Sequence, residues 1–219
     1  IDTRALTKKV KELGAPKAIV HYNENCTHDL EFLKQKLDNW PGIKGRDLTA
    51  QIYSINEQNK NYKTDLAENT AKVLVFDFGT KLNIVNCLER YALEVELISG
   101  HATFDEIIAS KPHGILLSNG PGDPAATNNF TNKVLKKLVE NTSIPIFGIC
   151  LGHQLLGLAM GANTEKMNHG HHGANHPVLD LRTGKVEITS MNHGFAIDSK
   201  SLPQNILESH ISLFDGSNC

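Results

Sequence analysis

From Lys72 onward, apolar runs and amphipathic segments alternate, which predicts strands alternating with helices. The runs are short, apolar throughout and rich in β-branched residues, as is typical of strands buried on both faces. The pattern predicts an α/β fold with an open, mostly parallel sheet and helices on both faces. The strand runs are KVLVFDFG, EVELIS, HGILLSNG and IPIFGI, and the helical segments are KLNIVNCLERYA, TFDEIIASK, NNFTNKVLKKLVE and GHQLLGLAMG.

The pattern differs on either side of this alternation. After Gly161, the runs HPVLDL, KVEITSMNH and FAIDS predict short antiparallel strands joined by glycine turns. Before it, residues 1–62 predict part of a smaller α/β domain. This part holds a helix that ends at Gly14, a strand at KAIVHY, and a second helix capped by Thr27 that ends before Pro41. We therefore predict a linker at 63–71 and a main domain at 72–219.

Composition narrows the possible functions. The chain has 219 residues, 40% of them hydrophobic, and a formal net charge of −2, which gives no electrostatic case for binding nucleic acid or an anionic membrane. No apolar stretch approaches the roughly 20 residues of a membrane span, and the first residues lack the apolar centre of a signal peptide. Cytoplasm is the expected location. Widely spaced cysteines without a CxxC pair favour free thiols, although bridges stay open: Cys26, Cys87, Cys150 and Cys219.

The chemistry is expected at the carboxyl ends of the parallel strands, where ligands bind in open sheets. The loops DFGTK, SNGPGDP and GICLGHQ lie at three such ends. The last loop holds Cys150 between two glycines, a sharp strand-to-helix corner that exposes a nucleophile. The following helix begins at the sulfur, which is expected to favour the thiolate, and the N–H of Leu151 can donate to an oxyanion. A buried structural cysteine is the alternative, but the two glycines favour the nucleophile.

Two other loops carry weaker signals. The backbone of Gly120 and Gly122 in SNGPGDP can approach a substrate, or the loop can be a plain turn. Asn192 and Gly194 in MNHGFAID likewise suit either a substrate contact or a β-turn. A histidine-rich stretch allows a zinc site, yet its spacing matches no usual ligand pair and favours loop histidines with structural hydrogen bonds: His169, His171, His172 and His176.

The motifs GICLGHQLLGLAMG, SNGPGDP, GHHGANHPV and NHGFAID together resemble the class I (triad-type) glutamine amidotransferases, which have a flavodoxin-like domain. They resemble most the branch of glutaminase subunits that serve carbamoyl-phosphate synthesis. The opening IDTRALTKKVKELGA and the stretch PGIKGRDL look like the later part of that branch's N-terminal domain. The resemblance covers nearly the whole chain, and we expect the sequence to be truncated at both ends.

The resemblance implies a function and a set of site residues. Cys150 would attack the carboxamide of glutamine, with the backbone N–H groups of Leu151 and Gly122 as the oxyanion hole. Ammonia would pass to a large synthetase subunit, or to a fused synthetase domain, which uses ATP, Mg²⁺ and bicarbonate; this chain needs no cofactor or metal. The implied glutamine-binding residues are Gly120, Gly122, Leu151, Gln154, Asn192, Gly194 and Phe195.

One part of the family pattern is missing. The family's base is a histidine held by a glutamate in an H-P-E motif, and no H-x-E occurs in the 219 residues. Truncation or natural loss would explain this, since His153 is expected to point away along its helix and His193 to belong to the substrate loop. The alternatives are an amidotransferase of another pathway, such as anthranilate or GMP synthesis, and a non-catalytic regulatory or docking subunit. The sequence leaves the pyrimidine and arginine pathways open.

Overall fold

The computed structural model describes residues 2–25, 27–56 and 70–219. The predicted linker, apart from its last two residues, and Cys26 lie outside this described part. The chain belongs to the α/β class, as the strand and helix pattern predicts. In chain order the helices are α1 Thr3–Leu13, α2 Leu30–Asn39, α3 Thr49–Asn56, α4 Leu82–Arg90, α5 Phe104–Ala109, α6 Pro124–Asn141 and α7 Leu151–Ala159. The strands are β1 Lys72–Asp77, β2 Glu94–Ser99, β3 Gly114–Leu117, β4 Ile146–Gly148, β5 Thr164–Asp180, β6 Val186–Ile197 and β7 His210–Ser212.

The main sheet has the strand order β2-β1-β3-β4, and all its pairs are parallel. Alternate residues of β1 face opposite sides, so Leu74 and Phe76 pack with α5, α6 and α7, while Val75 packs with Val85 of α4. Both faces therefore carry helices, which explains why the strands are apolar throughout. The order changes direction between β1 and β3, and this is where open sheets form their sites.

The predicted antiparallel addition is a three-stranded sheet with the order β6-β5-β7. Its strands are longer than predicted, because β5 runs through the whole histidine-rich stretch and β6 joins two predicted strands into one. The pairing of β5 with β6 changes register twice, at Lys166/His171 and at Gly173/His176. The histidines thus lie on a strand, and the prediction that they lie in a loop is wrong.

The N-terminal part differs most from the prediction. The predicted strand KAIVHY is not formed. Val20 in this run is 90% exposed, as expected for an apolar residue that does not pack in a sheet. The cap of α2 is Asp29, which accepts from the N–H of Phe32, and not Thr27. Helix α3 was not predicted. Among the described residues, no helix is long and apolar enough to cross a membrane.

Candidate active site

Cys150 lies at a strained corner between β4 and α7. Its φ of 54° and ψ of −109° are unusual for a residue with a side chain. The corner is held from both sides, because the Ile149 N–H donates to the Leu117 carbonyl at 2.9 Å and the Gly152 N–H donates to the Ser118 carbonyl at 3.0 Å. A Cβ on Gly148 would lie 2.5 Å from the backbone nitrogen of His153, so the turn admits only glycine there. The sharp strand-to-helix turn that the G-x-C-x-G motif predicts is confirmed.

The Cys150 thiol is partly buried, and its Sγ lies 3.6 Å from the backbone carbonyl oxygen of Asn192. Burial raises the pKa of the thiol, while the N–H of Leu151 acts in the opposite direction and lowers it less. The Leu151 N–H at the helix start thus acts in the predicted direction, but its effect is the smaller of the two. Burial disfavours the charged thiolate, so the net pKa of the thiol is raised, and a nucleophilic role requires a group that takes its proton.

The loop after β3 lies beside this corner. Gly120 is pressed between two neighbours, and a Cβ there would lie 2.4 Å from the Phe78 carbonyl oxygen and 2.7 Å from the Leu151 side chain. Gly122 has a φ of 101°, which favours glycine. In the described part of the chain, the N–H groups of Leu151 and Gly122 donate to no carbonyl or side-chain oxygen. Both can donate to a ligand, as the oxyanion-hole prediction requires, although that role stays a prediction.

Strand β6 lies on the other side of the corner, next to α7. The side chain of Gln154 is buried and donates through Nε2 to the Phe195 carbonyl at 2.6 Å. This bond ties α7 to β6. The Asn192 amide oxygen is paired with His172 Nδ1 at 2.7 Å, and Gly194 lies beside Lys166. The structure thus brings the predicted glutamine-binding residues on β6 and α7 close to Cys150, and their binding roles stay predictions.

The histidines near the corner have other partners. His153 Nε2 pairs with Asn218 Oδ1 at 3.1 Å, and His193 Nδ1 with the Phe195 carbonyl at 2.9 Å. Among the described residues, no histidine ring is hydrogen-bonded to the Cys150 sulfur. His171 pairs with Asp215 at 3.0 Å and stacks against His176, with ring centroids 4.3 Å apart. The structural hydrogen bonds predicted for His171 and His172 are confirmed.

One contact of the site was not predicted from the sequence. The short stretch 45–49, which leads into α3 and includes its first residue, pairs with the loop after β3 through an isolated antiparallel bridge between Asp47 and Gly122. In the sequence, PGIKGRDL served only as a mark of resemblance. The signal that could have indicated this contact is the polar run of Arg46, Asp47 and Thr49 beside a glycine, which suits a turn whose side chains bind backbone.

Comparisons with known proteins agree with this geometry. The family described as "Glutamine amidotransferase class-I" matches residues 74–219. The carbamoyl phosphate synthase small chain of Agrobacterium fabrum is 50% identical over 230 aligned residues, which cover 100% of this chain and 57% of that protein. The protein of the same name from Ruegeria pomeroyi is 47% identical over 227 residues, covering 100% of this chain and 58% of that protein. The chain thus spans somewhat more than half the length of these relatives.

Solved structures are similar in fold at low sequence identity. A putative GMP synthase component from Thermoplasma acidophilum superposes with a TM-score of 0.57 at 20% identity, over 67% of this chain and 75% of that one. A glutamine amidotransferase from Thermotoga maritima gives a TM-score of 0.53 at 14% identity, over 69% and 70% of the two chains. These two likenesses support the flavodoxin-like architecture of the main domain.

Proposed function

The chain belongs to the class I glutamine amidotransferases, and we propose that it supplies the glutaminase site of a carbamoyl-phosphate synthetase. The observation that carries the proposal is the strained corner at Cys150, whose sulfur lies beside the N–H of Leu151. The names of the relatives from Agrobacterium fabrum and Ruegeria pomeroyi support the carbamoyl-phosphate assignment.

In the proposed reaction, the Cys150 thiol loses its proton to a general base and attacks the carboxamide carbon of glutamine. The carbonyl oxygen becomes an oxyanion that accepts hydrogen bonds from the N–H groups of Leu151 and Gly122. Removing one such donor typically lowers kcat by about 10²–10³-fold. The tetrahedral intermediate breaks its C–N bond, and the proton returns to the leaving nitrogen to release ammonia. Water then hydrolyses the γ-glutamyl thioester, giving glutamate and the free thiol.

The remaining predicted residues would hold the substrate. The backbone of Gly120 and Gly194 lets glutamine approach closely, and the Asn192 amide can both donate and accept. Phe195 and Gln154 are buried and bonded to each other, so they would shape the pocket wall between α7 and β6. In this proposal Gly120, Asn192 and Gly194 contact glutamine directly, and the buried pair of Gln154 and Phe195 determines the shape of the pocket.

The product sets a requirement for a partner. Ammonia is mostly protonated in neutral water and is then no nucleophile, so it must pass to its acceptor without equilibrating with solvent. We infer a large synthetase subunit, or a fused synthetase domain, that binds ATP, Mg²⁺ and bicarbonate and makes carbamoyl phosphate. In this scheme the glutaminase chain itself carries no cofactor.

A non-catalytic docking subunit of the same fold is the second candidate. One observation favours it: within the described ranges, no histidine ring is hydrogen-bonded to Cys150 Sγ. A thiol without a base is only half of a nucleophilic pair. The two functions differ in whether Cys150 reacts selectively with a glutamine analogue.

Selective alkylation tests the proposal. The natural protein that carries this chain is treated with a diazoketone analogue of glutamine, which alkylates a thiol with loss of dinitrogen, and the labelled peptide is identified by mass spectrometry. We expect one label, at Cys150, that excess glutamine prevents. The matched control is Cys87→Ser, which removes another free, partly buried thiol and should keep the label, whereas Cys150→Ser should lose it. Labelling spread over Cys26 or Cys87, without protection by glutamine, would contradict the proposal.

A further inference from the structure

The stretch 45–49 is fastened to the loop that carries Gly122 by backbone and side-chain bonds. The Asp123 N–H donates to the Arg46 carbonyl at 2.9 Å, and the Gly45 N–H donates to Asp123 Oδ2 at 2.7 Å. Asp123 also caps α6 by accepting from the N–H of Ala125 at 2.9 Å. One carboxylate therefore joins the start of α6 to the stretch 45–49.

The Asp47 carboxylate attaches the stretch 45–49 to α6 by hydrogen bonds. Its Oδ1 accepts from the Thr49 N–H at 2.9 Å and from the Thr49 hydroxyl at 2.6 Å. It also accepts from the hydroxyl of Thr127 on α6 at 3.0 Å, a residue 80 positions away in the chain. The two donor residues are buried, with Thr127 at 0% and Thr49 at 3% exposure, while Asp47 itself is half-buried. Hydrogen bonds to a charged acceptor are roughly twice as strong as neutral ones.

The bridge sets the direction of the Gly122 N–H. Because the Asp123 N–H donates to the Arg46 carbonyl, Asp47 and Gly122 form a non-hydrogen-bonded pair, in which both N–H groups point away from the neighbouring backbone. The Gly122 N–H is thereby left available on the side away from the stretch 45–49. A Cβ on Gly122 would lie 2.8 Å from the Arg46 carbonyl oxygen and 3.0 Å from the Leu48 nitrogen, so the backbones are in close contact.

We propose that Asp47 is a positioning residue for the glutaminase reaction: together with Thr127 it holds the stretch 45–49 against Gly122 and so fixes the direction of that N–H. This inference rests on the proposed function, in which Gly122 is an oxyanion donor. It makes the N-terminal part of the chain a component of the active site. A displaced oxyanion donor weakens binding of the transition state more than binding of glutamine, so kcat should fall while KM stays nearly constant.

Two threonines one turn apart on α6 give a matched pair of variants. Thr127→Val removes the hydroxyl that binds Asp47, whereas Thr131→Val removes a hydroxyl that donates only to the Thr127 carbonyl of its own helix. Both residues are buried, at 0% and 2% exposure. Glutamine hydrolysis is measured on the natural protein, with rates referred to the number of sites that the diazoketone analogue labels.

We expect Thr127→Val to lower kcat about tenfold with KM within twofold of the wild type, as a partial loss of one oxyanion donor would. Thr131→Val should keep both constants, and Thr127→Ser should restore kcat because it keeps the hydroxyl. Equal kcat values for the two valine variants would overturn the inference while leaving the proposed function intact. If Thr127→Val does not fold, Asp47→Asn, which keeps the acceptor but removes its charge, must show the same selective fall in kcat. A wild-type protein that hydrolyses no glutamine overturns both proposals.

Discussion

The packing of α7 against β3 at Gly152 gives a sharp test of the corner around Cys150. A Cβ added to Gly152 would lie 2.1 Å from the carbonyl oxygen of Leu117 and 2.5 Å from its carbonyl carbon. Both atoms belong to the backbone of a central strand, so no side-chain rotation can relieve the overlap. The variant Gly152→Ala therefore requires the start of α7 to move by about 1.3 Å, from 2.1 Å to the 3.4 Å at which ordinary van der Waals contact begins.

The cost follows from what α7 buries. Leu151 is 1% exposed and Leu155 is 0% exposed, and both pack in the larger core cluster. Burying a leucine stabilises a fold by about 1.5–3 kcal/mol, so losing roughly half of that at two positions costs about 1.5–3 kcal/mol. Overpacking adds about 1–3 kcal/mol, and the better helix propensity of alanine offsets up to about 1 kcal/mol. We expect a net destabilisation of about 1.5–6 kcal/mol.

Urea unfolding followed by circular dichroism measures this change. The control is Gly157→Ala on the same helix, where the new Cβ would lie 2.5 Å from Cδ1 of Ile197, the flexible end of a side chain. That side chain can turn away, so the control should lose no more than about 1 kcal/mol. A Gly152→Ala protein as stable as Gly157→Ala would refute the close packing of α7 on β3.

Two further predictions concern the sheet of β5, β6 and β7 and its contact with α7. Replacing Gln154 with methionine keeps the volume but removes one of the two donors to the buried Phe195 carbonyl, the other being His193 Nδ1. The free energy of unfolding should therefore fall by about 0.5–1.5 kcal/mol in urea titrations, the net value of one hydrogen bond; an unchanged value would contradict the bond. Burial lowers the pKa of His171, so below its unfolded value near 6.5 the unfolded chain binds the proton more readily. This contribution to stability is therefore complete above about pH 6.5 and is lost as the pH falls below that value. The loss should be smaller in His171→Asn; parallel pH profiles of wild type and variant would count against this origin.

The main sheet could be predicted from the sequence because its information is local. Each strand of the sheet is an apolar run, as in KVLVFDFG, and each run is followed by a glycine or a polar turn. The same local logic failed at KAIVHY, where Val20 and Tyr22 are 90% and 82% exposed, because a strand also requires a neighbour. The sequence pattern also predicted the start of α6 too late, at the segment NNFTNKVLKKLVE. In the structure Asp123 caps the helix and Pro124 occupies its first position.

The site was predictable to the extent that its residues are marked by short motifs. The glycines around Cys150 predict the corner, since their spacing alone implies the turn. The tie between Asp47 and Thr127 joins residues 80 positions apart, and no local pattern indicates such a pair. The raised pKa of the thiol was missed for the same reason, because desolvation depends on which distant segment, here β6, covers the sulfur.

The backbone at Cys150 has a consequence for how this position tolerates change. Its φ of 54° with ψ of −109° is a conformation that glycine adopts freely and that costs other residues about 1–3 kcal/mol. Serine or alanine at 150 would keep this strain, so either is a fair comparison for the sulfur alone. Glycine would remove the thiol and relax the turn together, so selection for a robust fold and selection for a reactive sulfur favour different amino acids at this one position.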